Sequence, residues 1–150
     1  MSKLAGKTIF ITGASRGIGK AIALACAKDG ANIVIAAKTT EPHPKLPGTI
    51  FTAAEEIEAA GGKALPIKVD IRDEEVVQAA VDKAVETLGG IDILINNAAI
   101  RRQQAIETMS LADWRAVTAV ILDAAFLCAR ASLPHMVAAG GGAIVNIGGI

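Results

Sequence analysis

Aromatic residues make up only 3% of the chain and tyrosine is absent, while Lys+Arg and Asp+Glu balance at 15 each for a formal net charge of zero. Without a basic excess there is no electrostatic footprint for nucleic acid, and no nucleic-acid partner is expected. Cysteine is equally scarce. Cys26 and Cys128 both fall in apolar helical patterns, where a small buried hydrophobe is the ordinary reading, and they make no disulfide framework. No metal site is expected. No run reaches the roughly 18 uninterrupted apolar residues of a membrane span, and Met1 to Lys7 has no long apolar stretch before a cleavage site. The expectation is a cytoplasmic chain without membrane contact.

What the chain has in quantity is Ala, Ile, Val and Gly, at 52% hydrophobic residues, a composition suited to helices packed on a parallel sheet. Its 150 residues predict one domain, 1–150. Apolar runs of strand length recur at Thr8 to Thr12, Asn32 to Ala37, Ala64 to Val69, Ile91 to Asn96 and Gly142 to Ile147. Helical stripes lie between them: Ile18, Ala21, Ile22 and Ala25, stopping at Gly30; Ala53 to Ala60; and Val76 to Val85, started by Asp73 and closed by Gly89-Gly90. A longer helix runs from Ser110 toward Pro134 or a little beyond, with Ser110 as cap and Asp113 reciprocating. Alternating strands and helices require parallel pairing through right-handed crossovers. The predicted fold is an α/β three-layer open parallel sheet, Rossmann-like, with about five strands in the order 3-2-1-4-5 and a ligand beyond the carboxyl ends of strands one and four. Glu41 to Gly48, rich in proline, must be a loop, with His43 a solvated residue in it.

Thr12-Gly13-Ala14-Ser15-Arg16-Gly17-Ile18-Gly19 joins the first strand to the first helix. Unpaired helix N–H groups and the positive end of the helix dipole point into such a turn, and glycines admit a ligand close to the backbone. A dinucleotide pyrophosphate fits there; a merely tight strand–helix connection is the alternative. At the end of the second strand, where an acid would select NAD through the ribose hydroxyls, the sequence reads Ile35-Ala36-Ala37-Lys38. Lys38 and Arg16 suit a 2′-phosphate instead, so NADP is predicted over NAD. The plain alternative makes each a solvated charge.

The glycine turn, Val69-Asp70-Ile71 and Asn96-Asn97-Ala98-Ala99 together resemble the short-chain dehydrogenase/reductase family, with Ala99 in place of a glycine, and the resemblance covers all 150 residues. Residues up to about 97 and those from Ile100 onward resemble different subgroups, as in a recombined or engineered sequence. The resemblance implies that Asp70 bonds the adenine amino group beside the Ile71 backbone, and that Asn97 and Ala98 join Thr12, Gly13, Ser15, Arg16, Gly17, Ile18, Gly19 and Lys38 as cofactor-binding residues.

It also implies a carbonyl reductase tetrad that this chain does not carry. The family's Tyr-x-x-x-Lys segment falls beyond residue 150, its serine position falls at Gly149 and its helix asparagine at Ile121. Ser15, Asp123 and His135 are poor substitutes, so no catalytic residue is assigned. The leading expectation is an NADP(H)-binding Rossmann unit lacking the family's C-terminal catalytic and substrate-binding segment, with little or no activity. Alternatives are a reductase completed by another chain or a missing C-terminal half, and a scaffold whose turn holds nothing. A homo-oligomer is expected through the strand-five edge or the long helix. In the helix, Ala124, Ala125, Cys128 and Ala131 would face a partner, unless that stripe lies on its own sheet.

Overall fold

The computed structural model describes residues 3–148. Five parallel strands, β1 (Thr8–Thr12), β2 (Asn32–Ala37), β3 (Lys63–Lys68), β4 (Ile93–Asn96) and β5 (Ala143–Asn146), lie in the order β3-β2-β1-β4-β5, as predicted. Between them run α1 (Gly17–Lys28), α2 (Ile50–Ala59), α3 (Glu74–Leu88) and, after β4, α4 (Leu111–Thr118), a π-helical turn (Ala119–Asp123) and α5 (Ala124–Ala138).

The two-residue period of the strands divides the core in two. Ile9, Ile11, Ile33, Ile35 and Ile95 point to the face covered by α1 and α2. Their alternates, Phe10, Val34, Ala36 and Leu94, point to the face covered by α3 and α5. Because both faces are covered, the central strands read as continuous apolar runs rather than alternating ones. β3 pairs only with β2, and that edge position is why Pro66, which has no N–H to donate, sits within it.

Several boundaries shift for local reasons. β4 starts at Ile93 rather than Ile91, because the preceding Asp92 takes the Thr8 N–H on its carboxylate at 2.8 Å. α2 starts at Ile50 rather than Ala53. Thr49 Oγ1 accepts from the Phe51 and Thr52 N–H groups, and Thr52 Oγ1 accepts from Thr49 N at 2.8 Å, a capping box closed by threonine instead of the commoner Glu or Gln. At α4 the cap is Ser110, as expected, but Asp113 reciprocates by accepting from the Ser110 hydroxyl at 2.9 Å.

The larger correction concerns the long helix. Ala124, Cys128 and Ala131 are buried against the sheet and α3, so the stripe offered to a partner instead belongs to the chain's own core. The outer face carries Leu122, Phe126, Leu133 and Val137, all at least half exposed. By length and composition alone, Leu111–Ala138 is long and apolar enough to cross a membrane. The buried stripe makes it one layer of the sandwich. Burial pushes the Cys128 thiol up to about 12, as befits a small apolar core residue.

Phe10 is 1% exposed and touches the core on the α3–α5 side. Phe10→Ala is expected to cost about 3–5 kcal/mol, read from the midpoint of urea unfolding.

Candidate functional site

β1 delivers Thr12 to the carboxyl edge of the sheet, and the chain turns through residues 13–16 into α1. The turn is tied to β2 by Gly13 N donating to the Ala36 carbonyl at 2.9 Å. Gly13 has φ +69°, and a Cβ there would lie 3.0 Å from Ala98 Cα. At Gly19, a Cβ would strike the Asn97 amide nitrogen and come within 2.6 Å of the Gly13 carbonyl. No larger residue fits without moving the turn. The N-cap of α1 is Arg16, whose side chain makes no cap bond, whereas Thr49, Asp73 and Ser110 cap their own helices. Gly17 opens α1, Ser15 is buried beneath the turn, and Ile18 is exposed at the helix mouth. The first N–H groups of α1 and its dipole therefore face the turn, an arrangement suited to an anion.

Asn97 gives the turn its shape. Its Nδ2 donates to the Thr12 carbonyl at 3.1 Å and to the Gly13 carbonyl at 3.3 Å, while its own N–H and that of Ala98 both donate to Thr12 Oγ1 at 3.0 Å. Asn97 and the Thr12 hydroxyl thus bond each other's loops.

The charged residues converge at the carboxyl ends of β2 and β3. Arg16 Nη2 donates to Thr39 Oγ1 at 2.7 Å, and Arg16 Nη1 is buried without an acceptor among the described residues. Lys38 Nζ lies 3.7 Å from Asp70 Oδ2. Arg72 grips the same carboxylate through Nη2 at 2.7 Å and Nε at 2.9 Å, and these bonds hold Asp70 well below the usual carboxylate range. Arg72 and Thr39 were not legible as site residues, because each acts on a neighbour across the turn rather than through a sequence motif.

Beside the turn opens a cleft of about 670 Å³, with Thr12, Ile71, Ala98, Asn96 and Asn146 at its floor and Ile121, half exposed, on its helical wall. Asn96 Nδ2 donates to Asn146 Oδ1 at 2.9 Å, leaving Asn96 Oδ1 buried and unpartnered among the described residues. The π-helical turn brings Val120, Ile121 and Leu122 to this wall. Ser15, Asp123 and His135 do not line the cleft. Gly149 lies outside the described residues.

Two substitutions probe this geometry. Gly19→Ala is expected to lower dinucleotide affinity at least about tenfold in a calorimetric titration, because the added methyl pushes the Asn97 amide away from the turn. Arg72→Ala removes the group that lowers the Asp70 pKa. A lowered folded-state pKa stabilises above the unfolded value and loses that contribution as pH falls through the folded one. Urea midpoints of Arg72→Ala and the parent are thus expected to differ slightly near neutrality, since solvent screens so exposed a pair, and to converge in strong acid.

Residues 7–150 match the family model for short chain dehydrogenases. Hydroxysteroid dehydrogenase-like protein 2 of Danio rerio is 58% identical over 147 residues, which are 97% of this chain and 35% of that protein. A short-chain dehydrogenase structure from Mycobacterium thermoresistibile is 48% identical with a TM-score of 0.94, over 99% of this chain and 53% of that one. A metagenomic short-chain oxidoreductase in complex with NADP is 36% identical with a TM-score of 0.88, over 98% of this chain and 64% of that one. Carveol dehydrogenase from Mycobacterium avium, in complex with NAD, is 29% identical with a TM-score of 0.86, over 97% and 55%. The chain therefore spans about a third of the curated relative and between 53% and 64% of the solved ones. On its glycine turn, its strand order and this match, the chain belongs to the short-chain dehydrogenase family.

Proposed function

We propose that these residues form the NADP(H)-binding Rossmann unit of a short-chain oxidoreductase, holding the cofactor while contributing little of the acid–base chemistry. The observation that carries this reading is the pairing of a phosphate cradle too tight for any Cβ at Gly19 with Arg16 in the turn and Lys38, rather than an acid, as the residue that follows β2. Gly13, Ser15, Gly17, Ile18 and Gly19 would receive the pyrophosphate, with Thr12, Asn97 and Ala98 fixing the turn. Arg16 and Lys38 would meet a 2′-phosphate, where charge-assisted bonds to a dianion outweigh those to a hydroxyl. Asp70 and Ile71 would border the adenine. When bound, the nicotinamide supplies hydride transfer.

The other half of a carbonyl reduction is a proton, and among the described residues the helical wall of the cleft presents only apolar side chains, Val117, Val120, Ile121, Leu122, Ala124 and Ala125. Ile121 stands at the helix position where the family carries asparagine and presents an apolar side chain to the cleft. The 150 residues contain no tyrosine. Positioned acid–base groups contribute on the order of 10²–10⁴ in rate, so cofactor bound here without them turns over slowly. The short coverage of each relative favours a second reading, in which residues outside this stretch or from another chain complete the site. We read the chain as cytoplasmic, without a membrane or nucleic-acid partner. We also read it as associating with a second copy through the apolar outer face of α5 or the exposed β5 edge, where Ile144 and Val145 are 40% and 43% exposed.

Calorimetric titration with NADPH and NADH, run beside an assay of carbonyl-dependent NADPH oxidation, tests the proposal. NADPH binding at least about tenfold tighter than NADH, without turnover, is the expected result. Equal affinities would remove the NADP assignment, and rapid turnover by this chain would remove the division between holding and chemistry.

A further inference from the structure

The cleft beside the glycine turn carries a charge that cofactor holding leaves unused. Among the described residues its lining includes two arginines, Arg101 and Arg102, and no aspartate or glutamate. Both stand in the segment that joins β4 to α4, and the fold treats them differently. Arg102 is neutralised in place, because its Nη1 pairs with the Asp113 carboxylate in the first turn of α4, which also accepts from the Ser110 hydroxyl at 2.9 Å. That pair ties the segment to the helix. Arg101, one residue earlier, is exposed at the edge of the cleft and makes no hydrogen bond or ion pair among the described residues. Its charge is open to a ligand. Gly13, Ser15 and Gly17 of the glycine turn lie outside the lining of this cleft, so an anion meeting Arg101 is not the one the turn would hold.

The remaining surfaces fix the shape of an occupant. Thr12, Asn96 and Asn146 bring polar atoms to the floor, from the ends of β1, β4 and β5, while Val117, Val120 and Ile121 make the helical wall apolar. We infer that the cleft takes a carbonyl compound with an apolar body and a carboxylate, and that Arg101 selects the acid over its neutral counterpart. The inference rests on the oxidoreductase reading of the site, which places a carbonyl at the polar floor. Hydrocarbon gains from leaving water for the wall whatever its charge, so the wall supplies affinity and the arginine supplies discrimination. A guanidinium meets a carboxylate through two parallel N–H···O bonds, stronger than the bonds it would make to an ester. No internal partner has to be released first. Because Arg101 is exposed, the gain is modest and falls with added salt.

The test is calorimetric titration of the full 150-residue chain, saturated with oxidised NADP so that the probe cannot be reduced, with 7-oxooctanoate and its methyl ester. The parent is expected to bind the acid about fivefold tighter than the ester at low salt, with the preference falling below about twofold in about 0.5 M salt. Arg101→Gln removes the preference and leaves the affinities for the ester and for NADP within about twofold of the parent. Arg115→Gln, at an exposed arginine outside the lining, leaves the preference intact, and Ile121→Ser weakens acid and ester alike. Equal binding of acid and ester by the parent, or no binding of the acid, would overturn the inference while leaving dinucleotide binding in place. An Arg115→Gln loss as large as that of Arg101→Gln would make the preference a property of net charge and overturn it too. Weakened NADP binding in Arg101→Gln would assign the arginine to the cofactor instead. A parent chain that binds no dinucleotide would remove both the reading and the inference.

Discussion

The interaction on which the rest of the site depends is the exchange of hydrogen bonds between Asn97 and the end of β1. An asparagine amide donating to two carbonyls of the glycine turn, and a threonine hydroxyl accepting from two N–H groups of the β4 loop, lock together two segments 85 residues apart in sequence. Each bond alone contributes about 1 kcal/mol, but they share atoms and geometry, so losing one partner leaves several polar groups without acceptors or donors in a half-buried place. Gly19 follows from this lock, because only a missing side chain leaves room for the Asn97 amide. The uncapped start of α1 follows as well. With the turn held from the side by β4, the helix needs no side-chain cap to keep its direction, and its N–H groups are left for a ligand.

Two different supports therefore converge on one short turn. The β4 loop sets the backbone through Asn97, and the loop after β2 sets the charge through Thr39 and Arg16. Neither support lies in the glycine motif. The motif supplies a backbone able to approach phosphate and the Arg16 cation, and its neighbours supply the shape and a fixed partner for that cation. Lys38, by contrast, is drawn toward Asp70, which Arg72 holds more closely still, so its charge is shared with a carboxylate at the end of β3. Of the pair of cations read from the sequence, Arg16 is the one the fold orients.

The other side of the cleft has a different character. Where the glycine turn is polar and tightly bonded, the helical wall is apolar, with Val120, Ile121 and Leu122 delivered by a π-helical turn. Single π turns frequently occur at functional positions because they re-aim side chains out of the regular helical sequence. Here the re-aimed residues have no polar atom to offer. The cleft thus joins a polar floor at the ends of β1 and β4 with an apolar helical wall.

The strand order, the two covered faces, the glycine cradle and the absence of an acid after β2 were all legible in the sequence, because each is written in local pattern: strand-length apolar runs, helical stripes, glycine spacing and residue type. Which way α5 turns its stripe was not. Ala124, Cys128 and Ala131 are small enough for either a neighbouring helix or a sheet, and only the packing of α3 and β4 against them decides for the chain's own core. The start of α2 was missed because its cap uses Thr49 and Thr52, a pairing without the usual carboxylate signal. Asn97's grip on Thr12 and Thr39's grip on Arg16 join residues remote along the chain, and hydrogen bonds of a few ångströms cannot be read from spacing. Residue types alone determined that this chain offers a phosphate a backbone cradle and a cation. Only the tertiary structure decided how that cradle is held rigid, because rigidity comes from contacts the parallel sheet creates when it brings the ends of β1, β2 and β4 side by side.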